Sequence, residues 1–257
     1  MDELGPWVPY CGEAPGPEVW LSRWNLDPVL GAALALLACL LWRRPSMATP
    51  PTQSRHQRHL LRWAWCVTVL LYVSPLCALS SAFFTVRVVH HMALVLVVAP
   101  LLAAGLEPWL RRWPAPLWTS TAIAALTFWT WHAPAPYAAA LSSVPVYALM
   151  QFTLAGSALA FWVAVRRAGP VAAIAAIGAT TVQMGLLGAL ITFATRPLYA
   201  PHLASTLGWG VSPLADQQLA GLTMWAPGSI AYLAAAMWIG WHGLRPGSAT
   251  AANGRLA

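Results

Sequence analysis

Lysine is missing from this chain, and acidic residues are scarce. All 14 positive charges are arginines, and only seven of the 257 residues are Asp or Glu. With no lysine amine there can be no retinal Schiff base, which sets aside one class of seven-span membrane protein. Charged residues make up 8% of the sequence, whereas a soluble domain carries about 25%. So few charges cannot cover a water-facing surface, so the chain reads as an integral membrane protein. The four cysteines (Cys11, Cys39, Cys66, Cys77) form no C-x-x-C pair of the zinc-binding kind and no C-x-x-C-H haem-attachment sequence. A glycine-rich phosphate loop is also lacking. The opening MDELGPWVPYCGEAPGPEVW has acids where a secretory leader has bases, and no apolar core. It is expected to be an irregular arm.

What the chain does have is hydrocarbon: 59% of its residues are hydrophobic. Seven apolar segments, near 28–42, 61–80, 86–104, 117–132, 145–165, 171–194 and 217–243, approach the ~20 residues a bilayer needs. Backbone groups in lipid must be satisfied internally, so the expected class is all-α, a seven-transmembrane-helix bundle. The arginines orient it. Arg43, Arg44, Arg55, Arg58, Arg62, Arg111, Arg112, Arg166, Arg167, Arg245 and Arg255 fall on one side, and Arg23, Arg87 and Arg196 on the other. The first set is read as cytoplasmic, placing the N-terminus outside (periplasmic) and the C-terminus inside. The net charge of +7 is thus a topology signal rather than a sign of nucleic acid. The organisation expected is an arm over 1–27, a transmembrane domain over 28–244 and a tail over 245–257. His56 and His59 are expected to be solvated and His242 interfacial.

The unusual side chains collect at the outer end. In span 3, Arg87, His90, His91 and Leu94 share one helical face through i, i+3, i+4, i+7 spacing. His132 closes span 4, Cys77 lies one turn inside span 2, Asp216 begins span 7, and Met224 sits about two turns deeper. Met150 lies just inside span 5. Nitrogen and soft sulfur together suit Cu(I) better than hard cations, and ionisable groups at such depth face a bundle interior. The candidate metal ligands are therefore His90, His91, His132, Cys77, Met224 and Asp216. His90 and His91 lie about 100° apart on the helix. Cys11, in the arm, is left to pair with Cys77, to bind metal or to do neither. Cys39, Cys66, Met184 and Met237 are expected as core packing. Pro75 and Pro227 should bend spans 2 and 7.

The runs SPLCALSSAFFTVRVVHHMALVLVVAPLLAAGL, WHAPAPY and SPLADQQLAGLTMWAPG resemble the integral-membrane CtaG family of cytochrome c oxidase assembly factors. YCGEAP and RWNLDP resemble the N-terminal pattern of its proteobacterial branch. The resemblance covers about 10–242. It implies a multi-pass bacterial inner-membrane protein, without catalytic activity, that matures a haem-copper oxidase by supplying copper. The implied partners are an oxidase subunit and a copper donor protein, with a second copy of the chain left open. Position by position, the family motifs fall on His91, on His132, and on Asp216, Gln217, Met224 and Trp225. One departure stands out: the family's H-x-x-x-H becomes R-x-x-H-H here, with Arg87 in place of an imidazole.

Two other functions compete. A b-type haem needs no cysteine and would require facing histidines on spans 3 and 4. A metal-free scaffold would dock the oxidase through an aromatic outer rim (Trp129, Trp131, Tyr137, Trp209, Trp225). A transporter is disfavoured because the spans lack a mid-membrane acid.

Overall fold

The computed structural model describes residues 7, 9–42 and 55–243, and among them every regular element is helical. Arg43, Arg44, Arg245, Arg255, Asp2, Glu3 and the 245–257 tail lie outside the described residues. The helices are α1 (Pro28–Trp42), α2 (Arg55–Val73), α3 (Leu76–Ala82), α4 (Phe84–Ala93), α5 (Ala99–Gly105) and α6 (Glu107–Leu110). After these come α7 (Leu117–His132), α8 (Pro134–Ser142), α9 (Val144–Arg167), α10 (Pro170–Thr192) and α11 (Pro213–Gly243). Each expected apolar segment coincides with one or two of them.

Length divides them. Phe84–Gly105, α9, α10 and α11 are long and apolar enough to cross a bilayer, and α2 with α3 makes a fifth if the bent pair is one span. Helices α1 and α7 have 15 and 16 residues, short of the ~20 expected of a full span.

Prolines punctuate the bundle. Pro28, Pro134, Pro145, Pro170 and Pro213 stand at the first or second position of a helix, where a missing N–H costs nothing. Pro75 separates α2 from α3 with a 50° bend, as expected. Pro227 instead lies inside an α11 that runs without a break from Pro213 to Gly243. A third proline acts where none was expected. Between α4 and α5 the chain makes a π-turn over Leu94–Val98, just ahead of Pro100, which cannot donate to the carbonyls one turn back. The indole N–H of Trp162 on α9 donates to Val95 O at 2.7 Å instead.

Two glycines let α10 and α11 come together. A Cβ on Gly188 would lie 2.8 Å from Gly221 O, and one on Gly221 would lie 2.5 Å from Gly188 O. The backbones touch there, as at small-residue seams in membrane bundles.

From Tyr10 onward the N-terminal arm is tied down. Cys11 and Cys77 form a disulfide. Tyr10 OH donates to Asp27 Oδ2 at 2.7 Å, and Asp27 Oδ1 accepts the Val29 N–H at 2.7 Å, capping α1. Those bonds hold the Asp27 carboxyl below its usual range. Burial, then the Asp27 hydrogen bond, push the Tyr10 phenol up to about 12.

Cys39 and Cys66 are exposed, as is Met237; in a bilayer they face lipid rather than the core. Met184 is buried, touching the space a Cβ on Gly228 would fill, next to the Met92 methyl. His56 and His59 are exposed in the first turn of α2, so the loop before span 2 is already helical there.

Candidate functional site

Helix α4 carries a fully buried polar face: Arg87, His90 and His91 are each at most 2% exposed. His132 comes to this face because α7 must stop there. Ala133, which precedes Pro134, takes an extended conformation, as residues before proline do. His132 therefore ends α7 with its carbonyl free of the helix, and Tyr199 OH donates to that carbonyl at 2.7 Å. The 193–212 connection thus clamps the end of α7.

His91 Nδ1 lies 3.4 Å from His132 Nε2, with the rings nearly perpendicular at 89°. The other nitrogen of His132, Nδ1, is 2.7 Å from Phe128 O. A carbonyl only accepts, so Nδ1 carries the proton and Nε2 presents a lone pair toward His91. Backbone-anchored imidazoles of this kind recur among metal ligands, where the anchor fixes tautomer and ring orientation. Metal–imidazole bonds of about 2.0 Å, the length found for zinc, would span two nitrogens at 3.4 Å with an angle of about 120°. The pair accommodates a single ion with low coordination, or a histidine–histidine hydrogen bond.

The remaining expected ligands are placed elsewhere. His90 sits edge-on to the Tyr72 ring at 4.7 Å, with its ring centre 6.2 Å from that of His91. Neither of its nitrogens has a hydrogen-bond partner among the described residues. The 100° offset between neighbouring helical residues turns the two imidazoles apart. Cys77 is spent in the disulfide with Cys11, which leaves no thiolate to bind a metal.

Asp216 is a helix cap. Its carboxylate accepts the N–H of Phe84 at 2.7 Å and of Thr85 at 3.1 Å, and its own carbonyl accepts the Thr85 hydroxyl at 2.7 Å. Helix α4 has no side-chain cap of its own at Phe83. An acid from α11 supplies it, in the place the helix dipole favours. Gln217, next along, accepts the Leu198 N–H at 2.6 Å and holds the 193–212 connection. Met224 is fully buried beside Gly188 in the α10–α11 seam. Among the described residues no group of three or more His, Cys, Asp or Glu could hold a metal ion together. Of the six expected ligands, the structure brings the imidazoles of His91 and His132 to within 3.4 Å of each other.

Arg87 and several residues not singled out in the sequence complete the surroundings. Arg87 donates to Tyr147 OH at 2.9 Å, and its guanidinium lies 5.1 Å from the centre of that ring. Arg87 Nε and Nη2 have no hydrogen-bond partner among the described residues. Tyr72 OH donates to Gln151 Oε1 at 2.8 Å. His202, in the 193–212 connection, bridges Tyr137 OH at 2.7 Å and Ala82 O at 3.2 Å. Its Nδ1 donates to the carbonyl and its Nε2 accepts from the phenol, which satisfies a neutral ring. Burial drives its pKa down to about 3 against the pull of the Ala82 carbonyl. A signal for His202 existed: it is a histidine in a loop that also carries Tyr199 and Gln217's target. Yet no periodicity ties a loop residue to a helix face. Of the aromatic rim, Tyr137 and Trp131 are buried, and Trp131 donates to Thr153 Oγ1 at 2.8 Å. Those two are core rather than docking surface.

Residues 32–245 match the family model for the cytochrome c oxidase caa3 assembly factor, Caa3_CtaG. The chain belongs to this family. Comparison with curated proteins and with solved structures gives no match. The match spans the α4 histidines, His132 and the α11 cap, and the family's role is in assembling a cytochrome c oxidase, which implies an oxidase partner and a membrane setting.

Proposed function

We propose that this Caa3_CtaG protein carries copper as cargo at the outer end of a seven-span bundle and passes it to an oxidase subunit. In this reading α1 and α7 complete the set of spans, tilted or short as they are, and the arginine-rich loops lie in the cytoplasm. The membrane is the bacterial inner membrane, and the N-terminal arm is periplasmic. The single observation that carries the proposal is the His91–His132 pair, with Nδ1 and Nε2 3.4 Å apart and His132 anchored to Phe128 O.

Imidazole nitrogens suit copper, and Cu(I) is content with few ligands. A two-ligand site also suits cargo, because incoming groups from the oxidase can add before the donors leave. No bond is made or broken in a substrate, so the role is not catalytic. The protein's own contribution is to hold the His132 ring in one neutral tautomer, exclude water and keep the Cys11–Cys77 sulfurs out of the way as a disulfide. A separate copper donor protein would load the pair from the periplasmic side.

The test is metal analysis of the detergent-purified protein with and without reductant, alongside oxidase activity in cells. About one copper per chain, bound under reducing conditions and lost in His91→Ala and His132→Ala, is expected. Normal oxidase activity and unchanged copper in both variants would remove the idea. A Soret band in the purified protein would instead favour haem between the same two histidines.

A further inference from the structure

At the opposite end of the bundle, a crevice of about 200 Å³ opens between the α5–α6 corner and the last turn of α9. It is lined by Ala103, Glu107, Leu110, Arg111, Val163, Arg166 and Arg167. Three guanidiniums face one carboxylate there. The carboxylate is already engaged, since Arg166 Nη2 pairs with Glu107 Oε2 at 3.3 Å. Arg167 is engaged too: it donates to Trp113 O at 2.6 Å and to Leu110 O, closing the C-terminal carbonyls of the α6 turn. Arg111 has no hydrogen-bond or ion-pair partner among the described residues.

The charge balance of this crevice is therefore positive, and its free donors are all N–H. That combination wants an oxyanion, and the planar guanidinium matches phosphate in a two-point fashion. The walls decide what carries the phosphate. Ala103, Leu110 and Val163 form an apolar side. Trp109 and Trp113 stand exposed beside it, at 62% and 41%, as aromatic residues do at the level of lipid headgroups. Helices α5 and α9, both part of candidate spans, end at Gly105 and Arg167, so the crevice lies at the membrane boundary by their own lengths. A basic pocket between helix ends with an apolar wall is the arrangement that binds anionic headgroups.

We infer that this crevice is a binding site for the phosphate of an anionic phospholipid, held by Arg111 and Arg166 with its acyl chains along α5 and α9. The site does not depend on copper. It depends on the proposed orientation only for which leaflet supplies the lipid. Arg167 keeps the corner in shape, and Glu107 holds Arg166 in place while rejecting a second anion.

The experiment is a titration of the detergent-purified full chain with short-chain phosphatidylglycerol, read by native mass spectrometry and thermal stability. Phosphatidylcholine and inorganic phosphate serve as parallel arms. One phosphatidylglycerol retained per chain is expected, with about tenfold weaker retention in Arg111→Gln and a further loss in Arg111→Gln/Arg166→Gln. Arg112→Gln, on the same loop but outside the crevice, should bind as the wild type does. Because Arg111 makes no contact that folding needs, its variant should melt where the wild type does in lipid-free detergent. Equal retention in the wild type and Arg111→Gln, or equal stabilisation by phosphatidylcholine, would overturn the proposal. Stabilisation by inorganic phosphate as strong as by the lipid would overturn the lipid assignment and leave a free-phosphate site. Copper content and oxidase activity are measured on the same variants. Unchanged copper with lost lipid shows that this site and the histidine pair stand or fall separately.

Discussion

Removing one imidazole at a time is the sharpest test of the histidine pair, because geometry ranks the three histidines differently. A closed four-ligand zinc site binds with about 10–16 kcal/mol, or roughly 3 kcal/mol per ligand. If His91 and His132 both hold copper, deleting either should cost about that much, a loss near hundredfold in affinity. Deleting both should remove what affinity a single imidazole retains. His90→Ala should behave otherwise. Its ring centre is 6.2 Å from that of His91 and packs edge-on to Tyr72, so its loss should change affinity by less than about threefold. The assay is a competition titration of Cu(I) against a chromophoric chelator under reductant, with each variant first matched to the wild type for melting temperature. Because His132 Nδ1 is tied to Phe128 O at 2.7 Å, His132→Gln should also fail to bind, although it keeps a polar side chain. An equal, small effect for all three histidines would refute the reasoning. So would a His90 variant that loses more copper than the His132 variant.

Three further outcomes follow from particular contacts. Asp216→Ala strands the Phe84 and Thr85 N–H groups and should destabilise the protein by about 3 kcal/mol, judged from hydrogen bonds to charged acceptors. Copper affinity per folded molecule should change little, and a selective loss of copper at unchanged stability would restore Asp216 as a ligand. Gly221→Ala should cost about 1–3 kcal/mol, because its Cβ would meet Gly188 O at 2.5 Å and the Thr192 side chain; chemical denaturation in detergent reads it, and a neutral result would mean the α10–α11 seam opens readily. His202, with its folded pKa near 3 and an unfolded value near 6.5, favours the folded state only while neutral. Its contribution is full above about pH 6.5 and is lost as pH falls toward 3, at up to about 1.4 kcal/mol per pH unit. Melting curves should show this slope reduced in His202→Gln, and an unchanged slope would place the acid sensitivity elsewhere.

The helices were legible because their signals are local. Pro28 and Trp42 bound α1, and Leu117 and His132 bound α7, where apolar runs meet proline or charge in the sequence itself. The burial of Arg87, His90 and His91 was legible for the same reason, since helical period alone puts them on one face. The ligand set was not. Depth along each span put Cys77, Asp216 and Met224 near the histidines, but depth carries no information about rotation about the helix axis or about competing partners. Asp216 had a stronger claimant in the bare N-terminus of α4, a need visible only once Phe83 is seen to lack a cap. Cys77 had one in Cys11, 66 residues away. The π-turn at Leu94–Val98 has no signal in its apolar run beyond Pro100, whose missing N–H is what leaves Val95 O for Trp162. That turn changes the rotation of everything in the span on its far side from the histidines. A helix register propagated through it from Arg87 would misplace α5, and with it the apolar wall of the arginine crevice. The two ends of the bundle are therefore set by independent pieces of the same span. This is why the histidine pair and the lipid site can be altered one at a time.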